Sequence, residues 1–234
     1  MIVTRSSTEV RRVPNASGRS FTTGYIGKNA GAAAPDSTGA LFPDAYMIEQ
    51  LPLTSGPAHF HREDEFQIVM SGSGAIGKHA VEAFCVHYAG AFTPYGPIDA
   101  GPEGIGYLTL RTHYDPGAQV MPASREQLRA GQRKPRALFS EPLSLGRSQE
   151  VFAPAPDGMA AFHYHLPADA AMTGPDPALG GGQFWVVLDG EMRVANGDPL
   201  PSRSCVFVSA DEPIQRVAAS SAASLDVLVV QFPA

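Results

Sequence analysis

Apolar residues recur along the chain in short runs closed by glycine, proline, aspartate or serine. The runs AYMIEQLPL (45–53), EFQIVMSG (65–72), EAFCVHY (82–88), IGYLTLRTHY (105–114), FWVVLDG (184–190), EMRVANG (191–197), SCVFVSA (204–210) and LDVLVVQF (225–232) are rich in Val, Ile, Phe, Tyr and Thr. Such residues pack well on a pleated surface, so each run predicts a strand. Regular short strands of this kind predict a sandwich or barrel. The exception is SREQLRAGQR (124–133), where Ser124 can cap a helix and Gln127 can return a bond to the cap's backbone N–H. One short helix is expected there, followed by the basic stretch Arg133, Lys134, Pro135 and Arg136, which reads as a connector.

Composition strengthens the strand reading. Glycine and proline supply 45 of the 234 residues, about 19%, against roughly 12% in ordinary usage. Glycine costs backbone entropy inside a helix and proline removes a donor there, so a chain punctuated this often is not built of long helices. The expected class is all-β. With 44% hydrophobic and only 17% charged residues, a disordered tail is excluded. The length accommodates one large β domain or two of about 110 residues.

Within the chain, EFQIVMSG (65–72) aligns with QFWVVLDG (183–190): an acid or amide, six mostly apolar residues, then a turn glycine. Downstream, AFTPYG (91–96) falls beside VFVSAD (206–211) in the same order. Two ordered matches predict a duplicated β domain in preference to one large barrel.

Net charge is −6 and no block of lysine or arginine stands out, so nucleic acid is not an expected partner. No apolar run approaches the roughly 18 residues that cross a bilayer, and MIVTRSSTEVRR lacks the apolar region of a signal peptide. A cytoplasmic protein without a membrane partner is expected. Cys85 and Cys205 sit in apolar, strand-like runs and read as buried thiols rather than a disulfide.

The residues that carry chemistry lie in PAHFHREDEFQIVMSG (57–72). His59 and His61, two apart on a strand, present both imidazoles to one face. After a turn through Arg62, Glu63 and Asp64, Glu65 opens the next strand, and its carboxylate can reach the same point. Two histidines and one carboxylate form a facial ligand set for a divalent first-row metal. The side chains suit Fe(II), Mn, Ni, Co or Zn. The competing reading is a solvated polar hairpin, which leaves the joint spacing of ligands and turn glycine unexplained.

This segment resembles the first motif of the cupin superfamily, G-x5-H-x-H-x3-E-x6-G. The match is full from His59 to Gly72, while Leu53 stands where the family has its leading glycine and Gly56 lies nearby. The second motif, G-x5-P-x-G-x2-H-x3-N, is similar to Pro94, Tyr95, Gly96, Pro97, Ile98 and Asp99. There Asp99 replaces the third metal-binding histidine and Glu103 the asparagine. The resemblance implies either a four-ligand site with Asp99 or a three-ligand site from which Asp99 turns away. It further implies a two-domain bicupin of tandem jelly-roll barrels: a metal-binding N-terminal cupin domain over 1–120, a helical connector over 121–136 and a degenerate C-terminal cupin domain over 137–234. In that second half Pro177 and Leu179 stand for the histidines, Gln183 for Glu65 and approximately Ile214 for Asp99, which leaves it without a metal site.

Strand alternation sets Gln67 on the face of Glu65, as a polar partner of the site or a substrate contact, and Tyr95 and Arg111 are further inward candidates. An inward Arg111 favours a carboxylate or enolate substrate through a paired contact. His163, Tyr164 and His165, with Asp169 beyond, read as two histidines on one strand face. His79, His87 and His113 are isolated, although His87 can line the barrel. No G-x-S-x-G elbow, phosphate loop, dinucleotide fingerprint or zinc-type cysteine pair occurs. The resemblance implies a small-molecule metalloenzyme, with an Fe(II) dioxygenase preferred over a Lewis-acid isomerase or lyase and over a non-catalytic ligand-binding protein. Unpaired strand edges make a homodimer admissible.

Overall fold

In the computed structural model, which describes residues 1–128, 135–194, 197–220 and 222–234, the chain divides into two units, Arg11–Pro142 and Met1–Val10 with Leu143–Ala234. The first strand, β1 (Ile2–Arg5), belongs to the second unit. The first unit then runs β2 (Arg12–Pro14), β3 (Ser20–Ile26), β4 (Leu41–Gln50), β5 (Ser55–Gly56), β6 (His59–Phe60) and β7 (Glu65–Ile76). It continues through β8 (His79–Glu82), β9 (Val86–Ala89), β10 (Ile98–His113), β11 (Gln119–Val120) and β12 (Ala137–Phe139). The second unit adds β13 (Gln149–Phe152), β14 (Ala160–Leu166), β15 (Ala171–Thr173), β16 (Gln183–Asp189) and β17 (Glu191–Val194). Last come β18 (Leu200–Pro201), β19 (Cys205–Val208), β20 (Arg216–Ala219) and β21 (Leu225–Gln231). The all-β expectation therefore holds.

Every strand pairing is antiparallel among the described residues. In the first unit the main sheet runs β12-β9-β7-β10-β4-β3-β2, with β5 and β8 as side branches and β11-β6 as a separate pair. In the second, β1-β19-β16-β21-β14-β13 faces a four-stranded sheet, β15-β20-β17-β18. Trp185, Val187, Val206, Val227 and Val229 of the larger sheet bury against Met192, Val217 and Ala219 of the smaller. Among the described residues neither unit closes into a single ring of strands; each is an assembly of separate sheets.

The internal repeat is visible in the ladders. Strand β7 lies between β9 and β10, and β16 lies between β19 and β21. Glu65 pairs with Ala89 where Gln183 pairs with Val208. The strand that answers 205–208 is thus 86–89, and the expected alignment of 91–96 with 206–211 is out of register. Each unit is completed by an edge strand from a distant part of the chain: β12 on β9, with Phe139 opposite His87, and β1 on β19, with Arg5 opposite Cys205.

The expected helix over 124–133 is, in its described part, one 3-10 turn, Arg125–Gln127; residues 129–134 lie outside the described residues. Ser124 makes no side-chain capping bond, and Gln127 instead accepts from the Arg62 guanidinium at 3.0 Å. Both cysteines are free and buried. Among the described residues no helix is long and apolar enough to cross a membrane.

The glycines that end the two aligned runs are needed for their geometry, although Gly72 lies within β7 opposite Ile105 rather than at the expected turn. Gly72 has φ +71°, and a Cβ there meets the Gly104 carbonyl oxygen at 2.2 Å; Gly190 has φ +82° and meets Ser224 O at 2.1 Å. A side chain at either position is strained in dihedral and in space. Gly72→Ala is expected to destabilise the protein by about 2–4 kcal/mol, against about 1 kcal/mol for Gly18→Ala, which has φ +68° and open space around it. Urea denaturation of the two variants measures the difference; equal costs contradict this account of Gly72.

Candidate metal centre

Strand β7 is the spine of the site. Its alternation turns Glu65, Gln67 and Val69 one way, and Val69 packs with Tyr95, Ile98, Ile105 and Tyr107 in the interior of the unit. The polar members of this face are therefore buried, and each has a partner. Glu65 is 1% exposed; its Oε1 accepts from the Tyr95 hydroxyl and its Oε2 from Arg111 Nη2. Arg111, 3% exposed on β10, also donates through Nη1 to the Tyr46 hydroxyl at 3.0 Å. Burial pushes the Glu65 carboxyl up, but the Arg111 charge, with His61 and Tyr95, overrides it and holds the pKa below the ordinary value. Glu65 is thus a buried carboxylate compensated by a buried guanidinium.

The two histidines enter from β6 and the turn after it. His59 Nδ1 donates to Pro57 O at 2.8 Å, and His61 Nδ1 donates to Asp115 Oδ1 at 2.8 Å. Each Nδ1 is therefore engaged as a donor, and Nε2 is the ring nitrogen outside that anchor. Their centroids lie 5.2 Å apart, and His61 Nε2 stands 3.7 Å from Glu65 Oε2. Asp115 is itself fixed by the backbone N–H groups of Arg62 (2.8 Å) and Gly117 (2.7 Å). Burial raises the Asp115 carboxyl, and the His61 hydrogen bond and charge outweigh this to leave it lowered. Beside them, the Glu63 carboxyl is pushed up to about 7 by burial and by the charges of Asp115 and Asp64.

In the buried interior a directed chain of bonds runs from His87 to Glu65. His87 Nδ1 donates to Gln67 Oε1 (2.9 Å), Gln67 Nε2 donates to the Tyr95 hydroxyl (3.3 Å), and Tyr95 donates to Glu65. His87 is stacked on Phe139 at 4.4 Å, and its buried Nε2 has no partner. Burial lowers its pKa to about 4, so the ring is neutral at physiological pH. Burial also raises the Tyr95 hydroxyl far above its ordinary value, which keeps it a donor.

The structure brings together His59, His61, Glu65, Gln67, Tyr95 and Arg111. It does not bring Asp99 to them. Its strand neighbours Ile98 and Ala100 take the interior positions, so Asp99 points to the other face, where it accepts a bond from Ser55 Oγ. Arg111, expected to await a substrate, is engaged by Glu65. Two contributors were not singled out from sequence: Tyr46, readable only from alternation along β4, and Asp115, whose place before Pro116 and Gly117 reads as an ordinary turn former. In the second unit His163 and His165 share Asp226 at 2.8 and 3.1 Å, on one strand face as expected and without Asp169.

These residues can be tested against a divalent cation. Metal-bound histidines have the unused ring nitrogen anchored, as both are here. Ligand bonds of about 2.1 Å allow donors up to about 4 Å apart to share one ion, which the 3.7 Å between His61 Nε2 and Glu65 Oε2 permits. A carboxylate has about four lone-pair sites, so bonds from Tyr95 and Arg111 leave room for a ligand bond. The donor types suit such a cation and the His61–Glu65 pair has the spacing for one, while among the described residues no group of three His, Cys, Asp or Glu side chains is placed to hold a metal ion.

No protein-family model matches the chain, and no curated protein matches it in sequence. Solved structures do. Oxalate decarboxylase of Lactobacillus farciminis in a formate complex is 10% identical with a TM-score of 0.66, over 99% of this chain and 86% of that one. Bacterial pirin YhhW of Escherichia coli in complex with nickel(II) is 17% identical with a TM-score of 0.61, over the whole of both chains. A provisionally assigned dioxygenase of Nostoc punctiforme is 12% identical with a TM-score of 0.61, over 99% of this chain and 83% of that one. Such likenesses establish the fold, which is of the cupin type, and at these identities they establish the fold alone.

The His87 ring makes stability depend on pH. Its folded pKa of about 4 lies below the 6.5 of a free histidine, so between those values the unfolded chain binds more protons and stability rises with pH. The full contribution is present above about pH 6.5 and is lost as pH falls toward 4, up to about 3 kcal/mol. His87→Gln is expected to flatten the stability–pH curve in that window; an unchanged slope in denaturant titrations contradicts the assignment.

Proposed function

We propose that the chain is a small-molecule enzyme of the cupin type, dependent on a divalent first-row cation held by Nε2 of His59, Nε2 of His61 and the carboxylate of Glu65. The observation that carries this reading is the matched anchoring of the two imidazoles, Nδ1 to Pro57 O and to Asp115, which leaves Nε2 of each ring as the nitrogen a ligand can take. The nickel(II) in the similar pirin lends it support. A cation with two imidazoles and one carboxylate supplies Lewis acidity and, as Fe(II), oxygen activation. We take the Fe(II) dioxygenase of an oxygen-chelating substrate as the specific activity, with Lewis-acid isomerase or lyase chemistry as the alternative.

The chain's own residues prepare the pocket for an oxygen-rich substrate. Asp115 fixes the His61 tautomer and orientation through a charge-assisted bond. Tyr95 and Arg111 both donate to the Glu65 carboxylate and so fix the position of that ligand. Gln67 orients Tyr95, and His87 orients Gln67. The burial of Glu65, Gln67, His87 and Arg111 keeps water out and strengthens each of these interactions. A second reading, a ligand-binding protein without catalysis, is favoured by one observation: Glu65 is already neutralised by Arg111.

Protein purified without added metal is expected to contain about one equivalent of a first-row ion per chain by elemental analysis, and His61→Ala to lose it. With Fe(II), oxygen uptake is expected with at least one member of a panel of β-diketones, catechols and hydroxy acids. A wild type without stoichiometric metal, or a His61→Ala protein that keeps it, overturns the site; metal without oxygen uptake moves the activity to the Lewis-acid class.

A further inference from the structure

One buried oxygen atom of the site has two claimants. Glu65 Oε2 is the carboxylate oxygen 3.7 Å from His61 Nε2, and it is also the oxygen held by Arg111 Nη2. The other oxygen, Oε1, is held by Tyr95. A cation bound beside His61 therefore approaches the atom that already accepts from the guanidinium, and places two positive charges next to one in a low-dielectric interior.

Arg111 has somewhere else to go. Directly across the ladder from it on β4 stands Asp44, whose buried Oδ1 has no hydrogen-bond partner. A buried carboxylate oxygen without a partner is an acceptor in want of a donor. The guanidinium also has an unused donor: Arg111 Nε is buried and unpartnered. Its Nη1 already leans toward the same strand through the Tyr46 hydroxyl at 3.0 Å.

We infer that Arg111 is the resident counter-cation of Glu65: it holds Oε2 while no metal is bound, and passes to Asp44 when a divalent cation takes that oxygen. The inference rests on the cation site proposed above. It assigns Arg111 a positioning role that sets the affinity of the site for metal, and it explains why a carboxylate this deeply buried is tolerated in the metal-free chain. Losing the guanidinium removes a repulsion from the cation-bound state and a compensation from the cation-free state; both changes tighten metal binding. Losing Asp44 removes the refuge of the guanidinium and weakens it.

The test is calorimetric titration of chelator-stripped full-length protein with Mn(II), with thermal unfolding in parallel. Arg111→Gln is expected to bind Mn(II) roughly 10- to 100-fold more tightly than wild type and to melt earlier without metal. Arg111→Lys, which keeps the charge, is expected to restore wild-type affinity within about threefold, and Asp44→Asn to bind roughly tenfold more weakly. Should Arg111→Gln fold only with Mn(II) present, that rescue supports the inference. Wild type that binds Mn(II) with Arg111→Gln no tighter, or with Asp44→Asn unchanged, overturns the inference and leaves the cation site standing. No binding by wild type and by Arg111→Gln alike overturns both.

Discussion

A carboxylate buried to 1% exposure in the interior of a small β domain is the constraint from which the rest of the first unit follows. Unpaired, such a charge costs several kcal/mol; truncating one member of a buried pair costs about 3–5 kcal/mol because the other is stranded. The chain answers with Arg111 from the neighbouring strand and Tyr95 from the loop before β10, and both donors are then fixed in turn by Tyr46 and Gln67. The fold supplies this economically: β10 runs antiparallel to both β7 and β4, so residues of three strands reach one interior point. The same convergence that neutralises Glu65 also sets His61 within reach of it.

The second unit shows what the same ladder does without the charge. Gln183 takes the ladder position of Glu65, and its amide is satisfied by neutral partners: Nε2 donates to Gln231 Oε1 (2.8 Å) and Pro175 O (3.0 Å), while Oε1 accepts from Trp185 Nε1 (3.1 Å). Trp185, where the first unit has Gln67, fills the interior with an indole packed among valines. The changes of acid to amide and of amide to tryptophan, together with the loss of the two histidines, accompany an apolar core in the corresponding part of the second ladder.

Much of this was legible in the amino-acid pattern, and the remainder was hidden for physical reasons. The spacing of His59, His61 and Glu65 could be read because the three lie within seven residues, although β6 (His59–Phe60) ends before His61 and pairs with β11 rather than forming a hairpin with β7, and the aligned runs could be read because the glycines that end them are required by positive φ. Asp115 could not, since it meets His61 across 54 residues and only the tertiary fold closes that gap. The strand match 91–96 with 206–211 failed because apolar runs align in several registers, and only the ladders choose one. Asp99 is the instructive case: motif spacing points to it, but the parity of β10 gives the interior to Ile98 and Ala100. The exchange of edge strands, β1 into the second unit and β12 into the first, leaves no mark on composition or periodicity.

The most direct test of the central claim is anomalous diffraction from crystals of the full chain grown metal-free and then soaked in Mn(II). The predicted result is one anomalous peak within bonding distance of His59 Nε2, His61 Nε2 and Glu65, with Asp99 remote from it and the Arg111 guanidinium moved off Oε2. A peak coordinated by other residues, or none at a concentration that saturates binding in solution, contradicts it.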